Sequence, residues 1–140
     1  MQIKKPIFWD NKNPNLFSKF LKIFSSIFIL INNIPTKKTK VAGIKTICVG
    51  NIYLGGTGKT PTCIYIYNLL KESGHKIAFI KKLYKSQTDE QLLLKKNGNL
   101  ICKKERLDSI KLAKFKKFNF AICDDGLQDK KINYDLKIVC

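Results

Sequence analysis

Between the apolar run Ile47-Cys48-Val49 and a helical pattern opening at Thr60, the chain reads Gly50-Asn51-Ile52-Tyr53-Leu54-Gly55-Gly56-Thr57-Gly58-Lys59-Thr60-Pro61. A strand, a glycine-rich bend and a helix start in direct succession are what a phosphate cradle requires. Gly55, Gly56 and Gly58 admit backbone conformations that a Cβ forbids, so successive N–H groups, that of Thr57 among them, can converge on an anion. Lys59 adds a point charge for terminal phosphates. Thr60 offers a hydroxyl suited to magnesium, and the helix beginning there aims the positive end of its dipole at the same phosphates. Pro61 fits the first helical turn, where its missing N–H costs nothing. The common phosphate-loop spacing asks for glycine at 53, which is Tyr53 here; Gly50 stands three residues earlier.

The rest of the chain alternates. Strand patterns at Thr46–Val49, Ile77–Ile80, Leu100–Cys102, Phe118–Cys123 and Leu136–Cys140 alternate with helical patterns at Thr60–Ser73, Asp89–Lys96 and Leu107–Lys117 up to the fourth strand. This order predicts an α/β fold, a mostly parallel sheet with right-handed crossovers and flanking helices. With 140 residues, 44% of them hydrophobic, one core can form. The five cysteines show no Cys-x-x-Cys spacing, and four fall in apolar stretches, as small core residues of a reducing compartment do. His75 follows Gly74 at a helix-to-strand turn and has no ligand-spaced neighbour, so it is assigned no chemistry.

Residues 1–43 differ in character from 44–140 and are read as a separate region, an N-terminal helix with a basic connector. Phe17, Phe20, Leu21, Phe24, Phe28 and Ile31 recur at helical spacing. The uninterrupted apolar stretch 23–31 falls short of the roughly 20 residues a bilayer span needs. Lysines on both sides fit an amphipathic helix lying among lipid headgroups, with a helix packed on the domain core as the alternative. A net charge of +17 favours anionic partners. Arg106 is the only arginine, so a base-reading nucleic-acid interface, which depends on arginine forks, is not expected.

A second constellation closes the fourth strand: Asp124-Asp125-Gly126-Leu127-Gln128. Acids at the carboxyl end of a parallel strand sit on the edge where ligands bind. In phosphate-loop enzymes such an acid holds magnesium beside the loop threonine, which makes Thr60, Asp124 and Asp125 the candidate metal ligands. Two adjacent carboxylates at the end of a buried strand also demand a compensating cation or hydrogen bonds.

Together, Val49-Gly50-Asn51, Gly55-Gly56-Thr57-Gly58-Lys59-Thr60-Pro61 and Asp124-Asp125-Gly126-Leu127-Gln128 resemble the tetraacyldisaccharide 4'-kinase family of lipid A biosynthesis. The resemblance runs over nearly the whole chain and covers about the first half of the family's length. It implies a P-loop NTPase-like core, with ATP and Mg2+ as cofactors. The reaction implied is transfer of the ATP γ-phosphate to a hydroxyl of a lipid-linked glucosamine disaccharide. The place implied is the cytoplasmic face of the bacterial inner membrane, on an anionic surface. Carried over residue by residue, Lys59 holds the β and γ phosphates, Thr60 with Asp124 or Asp125 holds the metal, and Asp89 of Thr88-Asp89-Glu90 is the catalytic base.

The chain departs from the family pattern in several places. Lys81-Lys82-Leu83-Tyr84 stands where the family has Ser-Arg-Gly-Tyr, which puts Lys82 in the arginine's place, and Asp129 stands where histidine is usual. The family's second domain is not in the sequence, so the 140-residue chain is expected to be inactive or nearly so, since half the cleft is missing. Two other functions stay open on the residues alone: a different phosphate-loop kinase or nucleotidase, and a basic membrane or nucleic-acid binding module with a vestigial loop.

Overall fold

The computed structural model describes residues 25, 37–51, 58–83 and 88–140. Apart from residue 25, the N-terminal helix read through Phe17 to Ile31 therefore lies outside the described residues. The chain divides into two units, Met1–Thr36 and Lys37–Cys140, and the description that follows concerns the second. No described helix is long and apolar enough to cross a membrane.

Strand β1 (Lys45–Gly50) is followed by α1 (Lys59–Glu72), β2 (Ile77–Lys82), α2 (Thr88–Asn97), β3 (Asn99–Lys103), α3 (Arg106–Phe115), β4 (Phe120–Asp124) and β5 (Leu136–Val139). All five strands pair in parallel, in the order β3-β2-β4-β1-β5. The expected α/β architecture is present. A parallel sheet survives only with both faces covered, and the strand sequences meet that condition by being apolar at consecutive positions. In β2, Ile77 and Phe79 face one core layer while Ala78 and Ile80 face the other. Cys63 and Tyr67, one turn apart on α1, cover the first layer, with Tyr67 stacked on Phe79 at 4.5 Å. Ile110 and Ala113 of α3 cover the second. Cys48, Cys63 and Cys123 are fully buried free thiols, as their apolar settings predict, and His75 is exposed.

The basic segment after residue 36 runs along the sheet unit. The Thr39 N–H donates to the Lys131 carbonyl at 2.7 Å, and the Asn133 N–H donates to the Thr39 carbonyl at 3.0 Å. Further along, Asp135 clamps the approach to β5 onto β1. Its carboxylate accepts from the Thr46 N–H at 2.8 Å and the Thr46 hydroxyl at 2.9 Å, and pairs with Lys40 at 2.7 Å. Burial alone would raise the Asp135 pKa. Lys40 and the two Thr46 bonds more than reverse that and bring it down to about 2, from an ordinary 3.8.

A carboxyl whose folded pKa is depressed stabilises the fold above its unfolded value and loses that contribution as pH falls through the folded one. Asp135→Asn is expected to cost about 1 kcal/mol at pH 7, a figure reduced for the partial exposure of the ion pair. In urea titrations the gap between variant and parent should close as pH drops from about 4 to about 2. A gap that stays constant over that range would show that the clamp does not work through charge.

Candidate functional site

The register of β1 on β4 decides what the sheet edge presents. Val49 lies opposite Asp124, and the Asp125 N–H donates to the Val49 carbonyl at 2.8 Å. The chain therefore leaves β1 for the glycine-rich loop directly beside the two acids, at the carboxyl edge where α/β sheets bind ligands. Residues 52–57, which include Gly55, Gly56 and Thr57, lie outside the described residues. Beyond them Gly58 caps α1 with φ +78°, a conformation that strains any L side chain. Its carbonyl accepts the Thr62 N–H at 3.0 Å and the Thr62 hydroxyl at 2.9 Å. Lys59 and Thr60 are the first two residues of α1 and are half-buried there. The helix thus starts one residue before the expected Thr60.

Asp124 and Asp125 occupy different environments. Asp124 is 1% exposed; one carboxylate oxygen holds the Lys81 ammonium at 2.6 Å and the other lies 4.0 Å from the Cys63 thiol. Cys63 follows Thr60 by three residues, so Thr60 sits one turn nearer the loop on almost the same helix face. Lys81 is buried as well, and it bonds Glu90 of α2 at 2.5 Å. Burial alone would lower the Lys81 pKa, yet the bonds to Asp124 and Glu90 outweigh it and the net shift is upward. The compensating cation that the paired acids demand is therefore Lys81. Lys82, which the sequence puts in the family arginine's place, is half-buried at the adjoining position of the strand. Asp125 is exposed and has φ +55°.

Arg106 explains how Asp125 holds that backbone. Its guanidinium is 5% exposed and donates to the Asp124 carbonyl at 3.2 Å and the Asp125 carbonyl at 2.9 Å, with the Asp129 carboxylate 3.4 Å away. One planar fork thus spans the turn after β4, which a lysine's point charge cannot do. Sequence reasoning did not assign Arg106 this position. The available signal was a lone arginine among 27 cationic residues at the first position of a helix, where positive charge is unfavourable. Asp129, standing in for the family's histidine, is its partner. Gly50 is explained by the same turn: a Cβ there would lie 2.5 Å from Leu127 Cγ. That glycine seats the acid turn on β1.

Asp89 is exposed in the first turn of α2, beside the Glu90 that bonds Lys81. Residues 84–87, which connect β2 to α2, lie outside the described residues. A threonine hydroxyl and two carboxylates are hard oxygen donors that fit magnesium, an ion that keeps several waters and needs only one or two protein carboxylates. Among the described residues no cluster of three or more His, Cys, Asp or Glu could hold a metal. Phosphate oxygens would have to complete such a site.

A strand followed in sequence by a glycine-capped helix start, and paired with a strand ending in acids, fits the phosphate-loop class of α/β nucleotide-binding folds. The family model for LpxK, tetraacyldisaccharide-1-P 4'-kinase, matches residues 16–140. The chain belongs to this family. It is 52% identical over 141 residues to the tetraacyldisaccharide 4'-kinase of Pelagibacter ubique, a match that covers 100% of this chain and 45% of that protein. It is 32% identical over 152 residues to that of Rickettsia typhi, covering 96% and 47%. The fold is similar to the crystal structure of LpxK from Aquifex aeolicus in complex with ATP, with a TM-score of 0.72, 25% identity, and coverage of 86% of this chain and 46% of that one. The chain thus spans about half the length of the relatives it matches.

Gly50→Ala is expected to destabilise the fold by about 1–3 kcal/mol through overpacking against Leu127. Adding Leu127→Ala should recover part of that loss in urea denaturation. A double variant no more stable than Gly50→Ala would show that the contact does not set the cost.

Proposed function

We propose that this chain is the nucleotide-binding portion of a kinase that transfers the γ-phosphate of ATP to the 4'-hydroxyl of a tetraacylated glucosamine disaccharide 1-phosphate. The single observation that carries the reading is the opposition of Val49 and Asp124, which puts the start of the glycine-rich loop beside the acid pair. Family membership supplies the substrate class.

In this reading the loop amides and Lys59 bind the polyphosphate, and the α1 N-terminus adds its dipole. Thr60 with Asp124 or Asp125 would hold Mg2+, which when bound supplies charge stabilisation on the transferring phosphoryl group. Asp89 accepts the proton of the sugar hydroxyl as it attacks. The N-terminal region read within residues 1–43 would rest on an anionic membrane, and the sheet unit, with residues 37–43 bonded along it, would form the catalytic core. The lysine surplus suits the cytoplasmic face of a bacterial inner membrane, where the acyl chains can stay in the bilayer while the sugar is phosphorylated.

The test uses the chain itself for binding and, for transfer, a chimera in which it replaces the matching half of the Pelagibacter ubique relative. By calorimetry, Lys59→Ala should weaken magnesium-dependent ATP binding on the order of tenfold or more, the scale of a lost charge-assisted contact. In the chimera, Asp89→Asn should cut phosphate transfer to the lipid disaccharide about 100-fold with ATP affinity unchanged. A chimera that binds ATP without phosphorylating the lipid would point to a different phosphate-loop enzyme. Salt-sensitive vesicle binding indifferent to ATP, with no nucleotide affinity, would leave a basic membrane module instead.

A further inference from the structure

Lys81 is a fully buried cation that no step of the proposed reaction uses. It reaches Asp124 from the neighbouring strand, because Ile80 is in register with Cys123 and the next residues on each strand therefore meet. Its ammonium lies 2.6 Å from one Asp124 oxygen and 2.5 Å from a Glu90 oxygen, with only 2% of the lysine side chain exposed. A divalent ion arriving alone at Asp124 would have to share that carboxylate with a positive charge already in contact and shielded from water. Like charges in such a setting repel far more strongly than they would in bulk solvent. A divalent ion arriving on a polyphosphate brings a net negative charge, and the repulsion becomes attraction.

We propose that Lys81 is a resident counter-ion that keeps free divalent metal off Asp124 and admits the metal only together with nucleotide. The inference rests on Asp124 belonging to the nucleotide-metal site described above. Lys81 acts through Asp124 and is a positioning residue, touching neither phosphate nor sugar. Glu90 shares the ammonium and lowers its net charge without freeing the Asp124 oxygen.

The experiment measures Mn2+ binding by electron paramagnetic resonance on the full chain, with and without ATP. The parent chain should take up Mn2+ only when ATP is present. Lys81→Ser should gain affinity for Mn2+ alone by on the order of tenfold or more, and Asp124→Asn in the Lys81→Ser background should abolish that gain. Glu90→Gln leaves Lys81 on Asp124 and should not produce it. If Lys81→Ser fails the fold check by circular dichroism, Lys81→Met, close to lysine in size and uncharged, takes its place and should show the same gain. Parent protein that binds free Mn2+ as tightly as the variant, or a gain that survives Asp124→Asn, overturns the proposal. Failure of the kinase reading is seen separately, as absent Mn2+–ATP binding in the parent, while the gain of free-metal binding in Lys81→Ser would still stand.

Discussion

The ion pair between Lys81 and Asp124 is the constraint on which the rest of this sheet edge depends. A carboxylate 1% exposed at the end of β4 is costly to bury unless a cation meets it with good geometry. The cation comes from β2, so β2 and β4 must be neighbours in the observed register for the acid to exist where it does. The same register places Val49 on the other side of Asp124 and brings the loop exit beside it. One electrostatic requirement thus ties together three strands and the start of a ligand-binding edge. Glu90 extends the tie to α2, so the first turn of that helix, with Asp89 in it, is held to the same acid.

Arg106 does for the backbone what Lys81 does for the side chain. Two successive carbonyls, one belonging to a residue at φ +55°, are gathered by one guanidinium, and Asp129 balances its charge. The turn so fixed carries Leu127 against Gly50. Acid pair, turn and strand end therefore behave as one packed unit, and a shift of any of them would move Asp125 relative to the loop. The described positions on either side of residues 52–57 are both fixed, Gly50 beneath Leu127 and Gly58 as the cap of α1.

What could be read from the residues follows from which signals are local. Each strand and helix was legible because apolar runs and helical spacing are properties of short windows. Where a glycine marks the stop, as Gly74 does after α1, the boundary fell within a residue of the observed one. Where no glycine does, it slipped. The α3 helix ends at Phe115, and Lys117 takes φ +60°, so that the Phe118 N–H reaches the Ala113 carbonyl at 3.1 Å. A lysine in that conformation gives no sequence signal, so the helix was read through to Lys117 and the next strand from Phe118 instead of Phe120. The positions of Lys59 and Thr60 at a helix start and of Asp124 and Asp125 at a strand end were legible from spacing, whereas the side chains that support them were not. Lys81 and Arg106 meet the acid turn from 43 and 18 residues away along the chain. Only the fold brings such separations together.

Charge makes the same point at the scale of the whole chain. A surplus of +17 spread over lysines is a diffuse field, good for drawing anions to a surface and poor at fixing an atom. The two cations that shape the site are the ones removed from that field, Lys81 at 2% exposure and Arg106 at 5%. Each is used where its geometry suits it. The single compact ammonium bridges two carboxylates from different elements, and the planar fork holds the Asp124 and Asp125 carbonyls with one nitrogen and the Asp129 carboxylate with the other. Exchanging the two would leave the net charge untouched and lose both arrangements, so the chemistry of this edge resides in where two cations are buried and not in how many the chain carries.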